Sequence, residues 1–266
     1  MLDDPALRRE LAEVAHALAD AAAAETLRRF RRRDLVAESK EAARFDPVTE
    51  ADRAAEAAML AVLERRRPAD AVLGEEHGAR AGASGLVWVL DPIDGTRAFI
   101  TGVPVWGTLV AVGDERGPAF GIIDQPYTGE RFSGGFGAAR LARAGVETPL
   151  AVRACAGLAE ATILTTHPEI GSAEERAAFD RLAARCRLLR HGLDCYAYAM
   201  VAAGHADLVV EAGLRAYDIQ GPMAVIEAAG GLVTAWDGGP ARDGGRVIAA
   251  GDRRAHRAAL EVLAAL

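Results

Sequence analysis

The sequence has few cysteines, no long apolar run and no basic N-terminal head of the kind that begins a secretory signal. Only three of its 266 residues are cysteine, and they show no Cys-x-x-Cys spacing. Three cysteines cannot all pair, which favours a reducing compartment and the role of small buried hydrophobic residues. No apolar run is long enough to cross a membrane, and residues 1–5 are acidic, unlike the basic head of a secretory signal. We therefore expect a cytoplasmic protein that does not bind a membrane.

The chain also has no excess of positive charge. The chain carries 31 basic residues against 38 acidic ones, a formal net charge of −7, so there is no electrostatic case for nucleic-acid binding. The arginine-rich stretch 28–33 stands at the end of a predicted helix, where positive charge opposes the helix dipole favourably. No internal repeat and no long flexible linker are present, which indicates one or two closely packed domains.

Alternating periodicities predict an α/β fold. Apolar residues recur at helical spacing over residues 5–33, and Thr49 is the expected N-cap of a second helix that ends before Pro68. Further helices are predicted at 172–184, 193–204, 219–229 and from 252, and strands at 71–74, 86–91, 105–113, 118–125, 130–134, 161–166, 186–190, 207–211, 232–236 and 246–250. The glycine-rich tract 134–137 has no strand–helix context, so it predicts a hairpin turn rather than a nucleotide-binding loop.

The most informative segment covers residues 88–97. An apolar strand leads directly into Asp91 and Asp94, and Pro92 fixes the backbone between them. Both carboxylates can then point into one cleft at the end of the strand, with the Ile93 carbonyl between them. Hard oxygen ligands of this kind suit Mg²⁺.

The same segment offers a place for an anion beside the carboxylates. If a helix begins at Thr96, its first backbone N–H groups are free, and Gly95 lets the backbone approach a ligand closely. One short stretch would then supply both metal ligands and a phosphate cradle. Asp-Pro and Asp-Gly are also ordinary turn formers, so this segment alone leaves a purely structural turn open.

Two further segments place acidic residues after apolar strands. Glu75 follows the strand at 71–74 and could complete a coordination shell begun by Asp91, although a solvated acidic loop is the simpler interpretation of that segment alone. Asp218 precedes the helical pattern of 219–229, which predicts an N-cap there and does not exclude metal binding.

Together these segments resemble the signatures of the inositol monophosphatase superfamily, a group of Mg²⁺-dependent, Li⁺-sensitive phosphatases. The matching motifs are Trp-Val-Leu-Asp-Pro-Ile-Asp-Gly-Thr at 88–96, Tyr-Asp-Ile-Gln-Gly at 217–221, Glu-Ala-Ala-Gly-Gly at 227–231 and Asp-Pro-Val-Thr-Glu-Ala-Asp at 46–52. The likeness runs from about residue 10 to the C-terminus, and the combination and order of the motifs make it specific.

The resemblance implies a layered αβαβα sandwich. Its N-terminal half, residues 1–150, would carry most of the metal ligands. The C-terminal half, residues 151–266, would contribute Asp218 and the substrate-selectivity residues, which places the site between the halves. Relatives are often homodimers, so the resemblance also implies a homodimer, and Li⁺ is the implied inhibitor.

The resemblance further implies roles for single residues. The implied ligands of two or three Mg²⁺ are Glu75, Asp91, the Ile93 carbonyl, Asp94 and Asp218. Thr96, paired with Asp46, would orient and deprotonate the attacking water, and the backbone of Gly95 and Thr96 would grip the phosphate. Because a metal makes water more acidic and phosphoryl transfer depends mainly on positioning and charge neutralisation, no covalent nucleophile is needed.

Two segments bear on the substrate. Arg97-Ala-Phe after Asp-Gly-Thr, and Gly-Leu-Asp-Cys-Tyr-Ala-Tyr at 192–198, resemble the histidinol-phosphate phosphatase branch rather than inositol phosphatases. Asp194 would pair with a cationic substrate, since histidinol phosphate carries an ammonium and an imidazole. Glu211 would bind an amine or a hydroxyl, and Arg215 the phosphate or a neighbouring acid. Helix capping by Asp194 and a surface ion pair of Arg97 are the plain alternatives.

Three hypotheses about function follow. The leading one is hydrolysis of L-histidinol phosphate, late in histidine biosynthesis. The second is the same chemistry on inositol 1-phosphate or another small sugar or nucleotide phosphate. The third is a phosphatase-fold protein that acts mainly as a binding partner, and the full ligand set argues against it.

Overall fold

The computed structural model describes residues 2–39 and 47–264. The helices in these ranges are α1 (Pro5–Arg29), α2 (Glu50–Arg66), α3 (Thr96–Thr101), α4 (Ala173–Ala183), α5 (Cys195–Ala202), α6 (Ala216–Ala228) and α7 (Arg253–Leu263). The strands are β1 (Ala37–Ser39), β2 (Pro47–Thr49), β3 (Ala71–Gly74), β4 (Gly78–Arg80), β5 (Val87–Asp94), β6 (Gly107–Asp114), β7 (Gly117–Gln125), β8 (Glu130–Gly135), β9 (Ala138–Arg143), β10 (Val146–Pro149), β11 (Thr162–Thr165), β12 (Leu188–His191), β13 (Leu208–Arg215), β14 (Leu232–Ala235) and β15 (Gly244–Ala250).

These elements stack in five layers. An eight-stranded sheet has the order β10-β9-β8-β7-β6-β5-β3-β4, and a five-stranded sheet has the order β12-β11-β13-β15-β14. Helices α1 and α2 cover the outer face of the larger sheet, α5 and α6 lie between the sheets, and α4 and α7 cover the far side of the smaller one. The αβαβα sandwich is confirmed. Residue 150 falls between the two sheets, and we propose it as the boundary of the two halves.

Each sheet has an irregularity in its strand pairing next to predicted site residues. The pairing of β5 with β6 is irregular between Asp91 and Asp94, and the pairing of β13 with β15 is irregular between Glu211 and Leu214. Residues at such breaks no longer alternate strictly between the two faces of a sheet, so their side chains can be aimed sideways. Four of the predicted site residues stand at these two breaks, namely Asp91, Ile93, Asp94 and Glu211.

The first helix is shorter than its sequence pattern predicts. It ends at Arg29 rather than at residue 33, and Arg31 already has a positive φ of 61°. The cause is tertiary, because the Phe30 ring turns inward to pack 5.2 Å from Phe99 and 5.2 Å from Trp106. Residues 31–33 therefore lie beyond the helix and do not interact with its dipole as the sequence suggested.

Helix α6 lies unusually close to the larger sheet. A Cβ atom on Gly121 of β7 would come within 2.5 Å of the Gly221 carbonyl oxygen, and one on Gly134 of β8 would come within 2.5 Å of the Val225 Cα. Glycine is thus required where the backbones meet. This approach sets the position of the helix that carries Asp218. Among the described residues, no helix is both long and apolar enough to span a bilayer.

We expect Gly121→Ala to lower the free energy of unfolding by about 1–3 kcal/mol, because the added methyl group meets backbone atoms that cannot turn aside. Urea denaturation of the purified variant measures this. The matched control is Gly157→Ala, since Gly157 has an extended backbone and open space around it. Equal stability of Gly121→Ala and wild type would show that α6 can move away from the sheet at no cost.

Candidate active site

Three carboxylates meet at the centre of the molecule. Asp91 and Asp94 come from the end of β5, and Asp218 comes from the first turn of α6. One oxygen atom from each lies within 4.8 Å of the others, which is a spacing that a metal ion can bridge. They line a cavity of about 500 Å³, whose other walls include Glu75, Ile93, Gly95, Thr96, Arg97, His167, Asp194, Glu211 and Arg215. The cavity therefore brings together every predicted site residue except Asp46, which lies outside the described residues.

The cluster is electrostatically unfavourable without a cation. Burial, reinforced by the charges of Glu75, Asp94 and Asp218, raises the pKa of Asp91 well above its ordinary value. Burial and the charges of Asp194 and Asp218 also raise the pKa of Asp94. A bound divalent cation would remove this repulsion and keep the carboxylates ionised. The all-oxygen donor set thus fits a hard cation such as Mg²⁺.

Local hydrogen bonds fix the carboxylates at the strand end. The Ile93 N–H donates to Asp91 Oδ1 at 3.0 Å, so Asp91 closes a short turn onto its own backbone. The Cys195 N–H, at the start of α5, donates to Asp94 Oδ2 at 2.6 Å. Gly95 then turns the chain with a φ of 82°. Helix α3 begins at Thr96, as the sequence predicts.

Asp218 is held differently from the prediction. It is the third residue of α6 and not the N-cap, which is Arg215. Its Oδ2 accepts a hydrogen bond of 2.6 Å from the Arg215 N–H, so the carboxylate still caps the helix start. The prediction was wrong by three residues because β13 runs to Arg215 and passes directly into the helix. The shift brings Asp218 to the side of α6 that faces Asp91.

The carboxylate beside Thr96 is Asp52. The Thr96 hydroxyl oxygen is 3.5 Å from Asp52 Oδ1 and 3.2 Å from the Ile93 carbonyl. Asp52 lies in the first turn of α2, where it completes a capping box with the predicted N-cap Thr49. It is only 1% exposed, and burial raises its pKa to about 6.

The sequence paired Thr96 with Asp46, which lies outside the described residues, so that pairing stays a prediction. The contact of Thr96 with Asp52 was not predicted. A signal was available, because Thr49 and Asp52 have the spacing of a capping box, which points both side chains towards the start of the helix. What the spacing did not show is that the start of α2 faces Thr96.

The other end of the cavity is lined by the predicted substrate residues. Glu211 of β13 is 6% exposed, and its Oε1 accepts a hydrogen bond of 2.6 Å from the Thr166 N–H. Burial raises the pKa of Glu211 to about 7 and that of Asp194 to about 6, although the nearby Arg97 charge opposes the second shift. Both groups ionise close to neutral pH and would do so more readily beside a cation.

Asp194 is not a helix cap in the usual sense. It occupies the N-cap position of α5 but its side chain makes no capping hydrogen bond, and its φ is 47°. Its carboxylate instead lies against Gly95, where a Cβ atom would come within 2.8 Å of it. A left-handed φ in a residue other than glycine costs free energy, and such strain is typical of functional sites.

Arg97 contacts a residue that the sequence did not assign. Its Nη1 is 2.8 Å from His167 Nε2. Since an arginine only donates, Nε2 is the acceptor and the imidazole is neutral in this arrangement. The pair lies on the cavity wall beside Asp194, so Arg97 belongs to the site rather than to a surface ion pair. His167 stands just after β11 in the sequence, and only the fold brings it to Arg97.

The sequence match to known proteins agrees with this geometry. A profile of the inositol monophosphatase family covers residues 7–266. The chain belongs to this family. It has the fold of an inositol monophosphatase and is a phosphatase of that family, for which small phosphate esters are the substrates.

Three members of the family show how far the likeness extends. The chain is 40% identical to the bifunctional phosphatase IMPL2, chloroplastic, of Arabidopsis thaliana, over 98% of this chain and 77% of the relative. It is 36% identical to the histidinol-phosphatase of Streptomyces coelicolor, over 90% of this chain and 92% of the relative. The structure of an inositol monophosphatase from Zymomonas mobilis superimposes with a TM-score of 0.84 at 39% identity, covering 95% and 96% of the two chains. Relatives named for different substrates are thus similar to this family member at comparable identity.

We expect the stability of Glu211→Gln relative to wild type to rise with pH. The raised pKa of Glu211, about 7 in place of 4.5, means that its contribution to stability is present below pH 4.5 and lost as pH rises through 7. The difference between the two proteins should therefore change by up to about 3 kcal/mol between pH 4.5 and 8. Urea denaturation in EDTA at several pH values measures this difference. If the difference in the free energy of unfolding does not vary with pH, the pKa of Glu211 is not raised by burial in the folded protein.

Proposed function

We propose that this protein is a Mg²⁺-dependent phosphomonoesterase that hydrolyses L-histidinol phosphate to L-histidinol and phosphate. The observation that carries the choice of substrate is the pair Asp194 and Glu211 on the cavity wall. Carboxylates that ionise near neutral pH suit a ligand with an ammonium and an imidazole. The hydroxyls of inositol phosphate would not compensate two adjacent negative charges.

The metal ligands would be the residues gathered at the break in β5. They are Glu75, Asp91, the Ile93 carbonyl, Asp94 and Asp218. When bound, the divalent cations neutralise the phosphate charge and lower the pKa of a water molecule. The protein keeps Glu75 next to Asp91 through backbone pairing, because the Glu75 N–H donates to the Leu90 carbonyl at 3.2 Å.

Thr96 and Asp52 would orient and deprotonate the attacking water. The Thr96 hydroxyl would orient the water and, through its contact with Asp52, pass on the proton that the water releases. A carboxyl with a pKa of about 6 is well suited to take up a proton near neutral pH. This proposal gives Asp52 the part that the sequence assigned to Asp46. The backbone N–H groups of Gly95 and Thr96 would bind the phosphate oxygens.

The remaining polar groups would orient the organic part of the substrate. Asp194 would bind the ammonium, and Glu211 would accept a hydrogen bond from the imidazole or the hydroxyl. Arg97, hydrogen-bonded to His167, would form the wall of the substrate pocket next to Asp194. Arg215 is exposed at the rim and would attract the phosphate.

Inositol 1-phosphate is the second candidate, and the likeness to the Zymomonas mobilis enzyme favours it. The proposed metal ligands and phosphate-binding groups would serve the hydrolysis of either substrate. A role mainly as a binding partner, the cytoplasmic location, the homodimer and inhibition by Li⁺ stay predictions.

We expect the purified protein to release phosphate from L-histidinol phosphate at least tenfold faster, as kcat/KM, than from inositol 1-phosphate in the presence of Mg²⁺. EDTA should abolish release from both, because the cluster then has no cation to bind the phosphate. Asp94→Asn is the inactive control and should keep its fold by circular dichroism. Comparable or reversed rates would contradict the choice of substrate and retain the chemistry, whereas release unaffected by EDTA would contradict the metal site.

We expect Asp194→Asn to raise KM for L-histidinol phosphate about tenfold and to change KM for inositol 1-phosphate less than twofold. Asparagine is the appropriate replacement because it tolerates a positive φ and removes only the charge. Steady-state kinetics on both substrates measure this difference. Equal losses on the two substrates would mean that Asp194 shapes the site and does not recognise a cation.

A further inference from the structure

Helix α2 carries a second buried carboxylate, one turn after Asp52. The side chain of Glu56 is 0% exposed, and it has no part in the proposed reaction. A buried carboxylate is stable only when hydrogen bonds replace its lost hydration. The donors that surround Glu56 therefore show what it holds in place.

Among the described residues, the hydrogen-bond donors to Glu56 come from the loop after β3. Its Oε2 accepts a hydrogen bond of 2.8 Å from the Glu76 N–H, and its Oε1 accepts one of 2.9 Å from the His77 N–H. The His77 ring adds a third contact, with Nδ1 3.1 Å from Oε1. Since the carboxylate only accepts, Nδ1 carries the proton in this contact.

This loop is the one that presents Glu75. On one side Glu75 is tied to β5 by its hydrogen bond to the Leu90 carbonyl, and on the other side the next two residues are tied to Glu56. Gly74 completes the fit, because a Cβ atom there would overlap the Glu56 carboxylate. The loop is thus fixed between a strand and a helix.

From these contacts we infer that Glu56 is a positioning residue, which holds the loop of residues 75–77 so that Glu75 can bind the metal. The inference rests on the proposed metal site. Helix α2 would then contribute two residues to the site: Asp52 contacts Thr96, and Glu56 holds the loop that positions Glu75. Mutation of a residue that orients a metal ligand typically lowers the affinity for the metal by about 10- to 100-fold.

The test is calorimetric titration of the purified, metal-free protein with Mg²⁺ alone. Glu56→Gln should raise the Kd for Mg²⁺ about tenfold or more, because the side-chain NH₂ replaces one of the two acceptor oxygens and would face a backbone N–H. In kinetics, the Mg²⁺ concentration for half-maximal activity should rise by the same factor, with kcat at saturating Mg²⁺ within about twofold of wild type. Glu64→Gln is the matched control, an exposed residue two turns further along α2.

A double-mutant cycle tests the contact itself. Gly74→Ala should weaken Mg²⁺ binding in the wild-type background, because the methyl group displaces Glu56. In a Glu56→Ala background the same methyl group has room, so it should have little further effect. Additive losses in the cycle would mean that Gly74 acts on Glu75 directly and would overturn the inference.

The remaining outcomes are also decisive. A wild-type protein that binds no Mg²⁺ overturns the proposed function, and this inference with it. A wild type that binds Mg²⁺ with the same Kd as Glu56→Gln overturns the inference alone. If Glu56→Gln does not fold, His77→Ala tests the inference instead. The His77 side chain is 43% exposed, and its replacement by alanine removes only one of the three contacts with Glu56. We expect a two- to fivefold higher Kd for His77→Ala, and an unchanged Kd would overturn the inference.

Discussion

The repulsion among buried carboxylates is the constraint on which the rest of the structure depends. Asp91, Asp94 and Asp218 come close enough to share a metal ion, and burial raises the pKa of the first two. Such a cluster stores unfavourable free energy in the metal-free protein, so it persists only where the surrounding backbone fixes each group. A cation bound between the carboxylates would relieve this repulsion.

The fold provides that fixation by joining rigid elements at the places where sheet pairing breaks. Both breaks open towards one cavity, and helix α6 lies against the larger sheet at glycine positions that admit no side chain. Helix α2 carries Asp52, which contacts the Thr96 hydroxyl, and Glu56, which accepts hydrogen bonds from the loop that follows Glu75. Loops also contribute to the cavity, through residues 75–77 after β3 and through Asp194, which has a left-handed φ.

The predictability of each residue followed the range of the interactions that place it. Asp91, Asp94 and Thr96 were predictable because strand, turn and helix follow one another within ten residues. The start of α6 was misplaced at Asp218, since nothing local shows that β13 continues to Arg215. The contact of Asp52 with Thr96 was not predicted from the sequence. The two are 44 residues apart and meet only because α2 packs behind β5.

The sequence by itself determined the layered fold and the family, and it predicted a set of metal-binding acids, because these depend on periodicity and on short motifs whose geometry is local. Only the tertiary structure decided that Asp52 lies beside Thr96, where α1 ends, and that Arg97 meets His167. It also decided that Asp194 and Glu211 ionise near neutral pH. The reason is physical: a pKa depends on how much water and charge surround a group, and that environment is assembled from segments far apart in the chain.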